Sequence, residues 1–244
     1  MGKTIIFVYG VLAYLVFLVA CGYSIGFVGD IFVPKSIDSG PSGPVGAALL
    51  VNAVLLGLFA LQHSIMARPA FKRLWTKLIP PAAERSSYVL LASLLLLLLF
   101  WQWRPIQDIV WSVENPIVHA VLLSLYWIGW LLVILSTFLI DHFDFFGLRQ
   151  VYLAFRGEPY TEIGFKTPSV YKIVRHPIML GFIIAFWSTP RMSTGRLIFA
   201  LASTIYILLG MHLEERDLTN VYGEAYKEYK RRVFMLIPIP RKKR

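Results

Sequence analysis

Residues 117–140 read IVHAVLLSLYWIGWLLVILSTFLI. Apart from His119 near its start, this run of 24 residues carries no ionisable side chain except the Tyr126 phenol. As a helix rising ~1.5 Å per residue it is long enough to cross a hydrocarbon core ~30 Å thick. A helix satisfies its backbone hydrogen bonds within its own segment, which lipid requires, so the run predicts a membrane-spanning helix. Runs of similar character cover 4–29, 45–67, 87–103 and 196–213, and a shorter one covers 178–188. The expected fold class is all-α, a polytopic membrane bundle of five to six segments. Its blocks are four transmembrane helices over 1–140, a cytoplasmic segment over 141–177, a helical hairpin over 178–213 and a cytoplasmic tail over 214–244, all in one domain.

Composition agrees. The chain has 244 residues, 57% hydrophobic and only 16% charged, with a mean hydropathy of +0.64, outside the range of a soluble domain. Orientation follows from the tendency of short cytoplasmic loops to collect Lys and Arg. Twenty of the 24 basic residues fall on alternate loops, leaving Lys35, Arg104, Arg191 and Arg196 for the other side. Both termini are therefore expected in the cytoplasm. The net charge of +10 is scattered over membrane-flanking loops rather than gathered on one face, which argues against a nucleic-acid partner. Anionic headgroups are the expected counterpart, reached by the terminal run Arg241 to Arg244.

A single cysteine rules out an internal disulfide framework. Leu18-Val19-Ala20-Cys21 resembles a lipoprotein cleavage box, but the chain stays apolar through Val28, so Cys21 reads as a residue inside an uncleaved first span. The 30–44 loop is rich in Pro, Gly, Ser and Asp, as an outer connection should be. Trp75, Trp101, Trp103 and Trp111 are expected at interfaces. Glu84-Arg85-Ser86-Ser87 looks like a helix start with serines capping free amides. The polar interval from Asp141 to Arg175 holds eight aromatics, too many for a solvated loop, and is expected to fold against the membrane face or over a ligand.

Chemistry concentrates near the C-terminus. Arg175-His176-Pro177 opens the shorter apolar run, and Glu214-Glu215 follows the next. The turn over 188–195 folds the two runs into a hairpin, which brings those clusters together. Pro177 suits a first helical position. Carboxylates at membrane depth are costly and tend to pair or to serve a site. Residues 224–233 read as a short amphipathic helix. His63, His142, His176 and His212 fall at cytoplasmic helix ends, and His119 on the opposite side. No two histidines share an i, i+4 metal-binding spacing, so no metal is expected. No phosphate-binding glycine loop or nucleophile elbow is present.

Arg175-His176-Pro177, a hairpin, Glu214-Glu215-Arg-Asp-Leu218 and Gly223-x-x-Tyr226-x-x-Tyr229 resemble the C-terminal motif of membrane methyltransferases related to isoprenylcysteine carboxyl methyltransferase and phospholipid methyltransferases. Gln62-His-Ser-Ile-Met-Ala-Arg-Pro69, Glu84-Arg-Ser-Ser-Tyr-Val-Leu90, Phe100-Trp-Gln-Trp-Arg-Pro105, Asp141-His-Phe-Asp-Phe-Phe-Gly-Leu-Arg149 and Gly157-Glu-Pro-Tyr160 are similar to bacterial methanethiol S-methyltransferases. Val233-Phe-Met-Leu-Ile-Pro238 departs from the wider superfamily in lacking the Arg that often precedes the late proline.

The resemblance implies an enzyme of the bacterial inner membrane that methylates a small thiol, most simply methanethiol to dimethyl sulfide, with S-adenosylmethionine bound on the cytoplasmic side under a C-terminal lid. It places Tyr171, Arg175, His176 and Pro177 along the cofactor cleft, Glu214 and Glu215 at the cofactor's amino and ribosyl end, and Tyr226 and Tyr229 in the lid. Helix N-terminal amides suit the cofactor's carboxylate, and a carboxylate suits its ammonium and sulfonium. Because the thiolate is the nucleophile, His63 and His142 are the candidates to take the thiol's proton. Other readings are a methyltransferase for another thiol, isoprenylcysteine or lipid acceptor, an NADPH-dependent membrane reductase of the sterol-reductase type, and a non-enzymatic membrane protein. A transporter would call for inverted repeats and broken central helices, and neither is evident.

Overall fold

A computed structural model describes residues 2–237. The terminal basic run 241–244 and the late Pro238 lie outside the described residues. In chain order the helices are α1 (Lys3–Gly29), α2 (Val45–Ala67), α3 (Pro69–Trp75), α4 (Glu84–Gln102), α5 (Pro116–Ile140), α6 (His142–Phe145), α7 (Leu148–Arg156), α8 (Pro177–Trp187), α9 (Thr194–Tyr222) and α10 (Glu224–Arg232). Two short strands, β1 (Ile109–Ser112) and β2 (Arg191–Ser193), pair in a small sheet. Five helical segments, α1, α2, α4 with the turn before it, α5 and α9, are long and apolar enough to cross a bilayer. The chain is a multi-pass, all-α membrane protein.

The described residues form two compact units. The first comprises residues 2–110, 142–162 and 192–196; the second comprises 111–141, 163–191 and 197–237.

In the first unit α1 packs on α4 and α7, and α2 packs on α4. Aromatic side chains of the polar interval lie on α1: Phe146 stacks on Phe17 with centroids 3.8 Å apart, and Phe155 stacks on Phe7 at 5.0 Å. The serines expected to cap α4 do something else. Its N-cap is Ala83 without a side-chain cap, while Ser87 donates to Ala83 O and Ser86 to Gly147 O. Ser86 is drawn into a buried tertiary contact with Gly147, while Ser87 turns back on the carbonyl four residues earlier, so neither hydroxyl caps the first amides. Trp103 is fully buried and donates to Ile37 O rather than lying at an interface, whereas Trp101 is exposed. The 30–44 loop is tied down by charge: Arg196 bonds the Asp38 carboxylate and Val28 O, and Ser193 bonds Asp38.

In the second unit α5 and α8 pack so closely that side chains are excluded. A Cβ on Gly181 would stand 2.6 Å from Gly129 O, and one on Gly129 would stand 2.7 Å from Ala185 N. Glycine at both positions lets backbone meet backbone, as small residues do between membrane helices. Helix α8 then lies along α9, with Trp187 Nε1 donating to Thr204 Oγ1 at 2.9 Å and Phe186 set edge-on to Phe199. Its other end faces Glu215, eleven residues further along α9, which matches the length of α8. The hairpin expected from the turn therefore forms, but α9 runs on past the apolar stretch to Tyr222. Gly223, at φ +55°, ends it and turns the chain into α10.

Candidate functional site

On α9 the buried positions Ala200, Ile207, Met211 and Glu215 are spaced seven, four and four residues apart, two turns and then one turn at a time, so Glu215 lies on the inward stripe. Its neighbour Glu214 is turned about 100° away, and 48% of that side chain is exposed. Glu215 is held by two cations and an imidazole. Arg175 Nε lies 2.6 Å from Oε1, His176 Nε2 3.3 Å from the same oxygen, and Lys230 Nζ 2.9 Å from Oε2. Glu214 has the opposite edge of the same imidazole, with Oε2 3.5 Å from His176 Nδ1. One ring thus bridges both carboxylates, and only Glu215 is saturated.

The segment after α10 is strapped across this cluster. The backbone N–H of Arg175 donates to Phe234 O at 2.7 Å and that of His176 to Met235 O at 3.2 Å. The Arg175 side chain adds bonds from Nη1 to Lys230 O at 3.2 Å and to Val233 O. Helix α10 is held from the other side by Tyr229, whose hydroxyl donates to Tyr171 O at 2.6 Å. Phe165 packs within 5.7 Å of the rings of Tyr222, Tyr226 and Tyr229. Burial holds the Tyr229 phenol up to about 12, with the Glu215 carboxylate adding to the rise, and raises Tyr171 and Tyr226 further. All three stay protonated donors at neutral pH.

Helix α8 begins at Pro177 with His176 as its N-cap and no side-chain cap, so the first amides are not capped by a side chain. Beside this end, Tyr171 Oη donates to Ser136 O of α5 at 3.3 Å. The second unit therefore gathers all eight residues expected around a cofactor: Tyr171, Arg175, His176, Pro177, Glu214, Glu215, Tyr226 and Tyr229. Lys230 and the carbonyls of Lys230 and Val233 escaped the sequence reading; the only signal was a Lys next to Tyr229 on an amphipathic helix. A zwitterionic, sulfonium-bearing ligand fits this set, which offers a half-exposed carboxylate and helix amides without a side-chain cap.

His63 and His142 belong to the first unit, each bound by a tyrosine. Tyr88 Oη lies 2.8 Å from His63 Nε2, and Tyr14 Oη 2.7 Å from His142 Nε2. Burial lowers the His142 pKa, favouring neutral imidazole. Nearby in sequence, Asp144 takes a salt bridge from Arg149 at 3.0 Å and a hydrogen bond from Tyr160. Among the described residues no group of three His, Cys, Asp or Glu is placed to hold a metal ion.

The NnrU protein family model matches residues 50–226. A methanethiol S-methyltransferase of Mycobacterium tuberculosis is 55% identical over 240 residues, 98% of each chain. Another from Crocosphaera subtropica is 51% identical over 243 residues, 100% of this chain and 95% of that one. Nurim of Mus musculus is 31% identical over 193 residues, 75% of this chain and 72% of its own. No solved structure matches. With a family model over most of its length and relatives aligned almost end to end, this chain belongs to the NnrU protein family and groups with the bacterial methanethiol S-methyltransferases.

Proposed function

We propose that this protein methylates methanethiol to dimethyl sulfide, using S-adenosylmethionine as methyl donor. The observation that carries the reading is identity of 55% along nearly the whole chain to a protein named for that reaction. The chemistry of the second unit is compatible with it. When bound, S-adenosylmethionine supplies a methyl group on a sulfonium that leaves as a neutral thioether once a thiolate takes the methyl.

Glu214 is the carboxylate free to face the donor's ammonium and sulfonium, and the α8 amides suit its carboxylate. Tyr171, Tyr226 and Tyr229 wall the site with protonated phenols, and Pro177 sets the start of α8. Arg175, His176 and Glu215 fix the strap that covers it. A thiolate and a sulfonium become two neutral thioethers, so excluding water strengthens the attraction along the path. The positive-inside pattern supports an inner-membrane protein with both termini and this site on the cytoplasmic side. His63 and His142 are the proposed proton acceptors; unchanged turnover in both His63→Ala and His142→Ala, with donor binding intact, removes them.

The test is headspace analysis of membranes from cells expressing the chain, supplied with methanethiol and S-adenosylmethionine. Dimethyl sulfide well above a vector control is expected, with loss in Glu214→Ala. No product above the control contradicts the reading.

A further inference from the structure

Several hydroxyls on the membrane helices of this protein are turned onto their own backbone. Ser24, Ser87, Ser93, Ser124 and Thr204 each donate to the carbonyl four residues earlier, at 2.7–2.9 Å. That is the usual resting place of a Ser or Thr hydroxyl in a helix. Ser136 on α5 departs from the pattern: the residue is 0% exposed, and its Oγ has no hydrogen-bond partner. A buried polar atom left unpaired costs free energy unless something else satisfies it.

Its place in the fold is informative. Gly129 of α5 meets Gly181 and Ala185 of α8, and Val133, one turn on, meets Gly181 again. Another turn along the same face brings Ser136 level with Pro177, which has no N–H to offer. Tyr171 confirms the position, since its hydroxyl reaches the Ser136 carbonyl at 3.3 Å. An unpaired buried hydroxyl thus stands beside the N-terminus of α8, whose N-cap residue His176 reaches both carboxylates.

From this juxtaposition we infer that the Ser136 hydroxyl binds the acceptor, donating a hydrogen bond to the sulfur of a small thiol. The inference rests on the proposed methyl transfer and deepens it. The donor's charged groups have their counterparts in Glu214 and the α8 amides. Ser136 stands instead on a membrane helix one turn from the buried Val133, as suits a small, mostly apolar thiol. A hydroxyl donating to sulfur stabilises thiolate over thiol, and so raises the reactive fraction at a given pH. No covalent step is added, because the hydroxyl proton stays on Ser136.

The experiment compares wild type, Ser136→Ala and Ser124→Ala in steady-state assays of the full-length protein in membranes. The expected result for Ser136→Ala is a fall in kcat/KM for methanethiol of about tenfold or more, the scale of a lost hydrogen bond to a charged partner. Its pH profile should also shift toward higher pH. The KM for S-adenosylmethionine, the affinity for S-adenosylhomocysteine by calorimetry and the melting temperature should stay at wild-type values, and Ser124→Ala should match wild type throughout. Methanethiol parameters unchanged in Ser136→Ala overturn the inference while leaving the methyl transfer standing. Loss of methanethiol and donor parameters in parallel overturns it too, as a merely structural role. A wild-type protein that forms no dimethyl sulfide takes down the underlying reading and this inference together.

Discussion

Arg175 Nε lies 2.6 Å from Glu215 Oε1, with only 9% and 7% of the two side chains exposed. The pair joins the start of α8 to the inward stripe of α9, and Arg175 then spends Nη1 on two carbonyls of the C-terminal segment. Breaking a buried pair from one side leaves an uncompensated charge and typically costs about 3–5 kcal/mol. Arg175→Ala and Glu215→Ala should each lower the melting temperature in detergent markedly. Glu214→Gln, at an exposed position, should change stability by no more than about 0.5 kcal/mol. It should weaken S-adenosylhomocysteine binding by about tenfold, the loss of one charge-assisted contact. Paired melting and calorimetry separate the two acids, and equal behaviour of the two variants contradicts the division.

The close approach of α5 and α8 gives a second expectation. Because a Cβ on Gly181 meets the backbone oxygen of Gly129 at 2.6 Å, no rotamer change can relieve it. Gly181→Ala should destabilise the protein by about 1–3 kcal/mol, the usual scale of overpacking. Gly210→Ala, where a Cβ meets nothing within 4 Å, is the matched control. Thermal melts of the two variants check the difference.

The first unit carries its own buried pair, Arg196 with Asp38. Asp38→Leu alone should lower the melting temperature, because the guanidinium loses its nearer carboxylate and keeps Val28 O and Asp30 at 3.9 Å, whereas Asp38→Leu with Arg196→Met should recover much of the loss. Melting of both variants reads the coupling.

His142 predicts a pH dependence. Burial lowers its pKa in the folded protein, so below the unfolded value of about 6.5 the unfolded chain takes up a proton that the folded one does not. Stability from this group is complete above about pH 6.5 and declines as pH falls from there toward the lower folded value. His142→Gln, which can still pair with Tyr14, should flatten the melting temperature over that window. A wild-type and variant profile of equal slope contradicts the assignment.

Much of this architecture could be read along the chain, because lipid imposes long apolar helices. The runs 45–67 and 117–140 match α2 and α5 within a residue. The joining of Arg175 and His176 to Glu215 was legible too, since the turn over 188–195 leaves a hairpin little choice. What escaped depends on long-range contacts. Nothing near Asp38 announces a partner 158 residues away. The polar interval gave no sign that it divides after Glu162, its first part packing on α1 and its second on α10. Ser86 and Ser87 have the residue type of a cap, but a tertiary carbonyl captured the first hydroxyl and a carbonyl one turn back the second.

Transfer of an isotopically marked methyl group is the most direct test of the central claim. Purified full-length protein, reconstituted in lipid, is given S-adenosylmethionine bearing a trideuterated methyl group together with unlabelled methanethiol, and the volatile product is weighed by mass spectrometry. The account predicts dimethyl sulfide carrying one trideuterated methyl, formed in proportion to S-adenosylhomocysteine and depleted in the Glu214→Ala protein. Absence of labelled dimethyl sulfide from a folded wild-type protein, or full labelling by the Glu214→Ala protein, contradicts it.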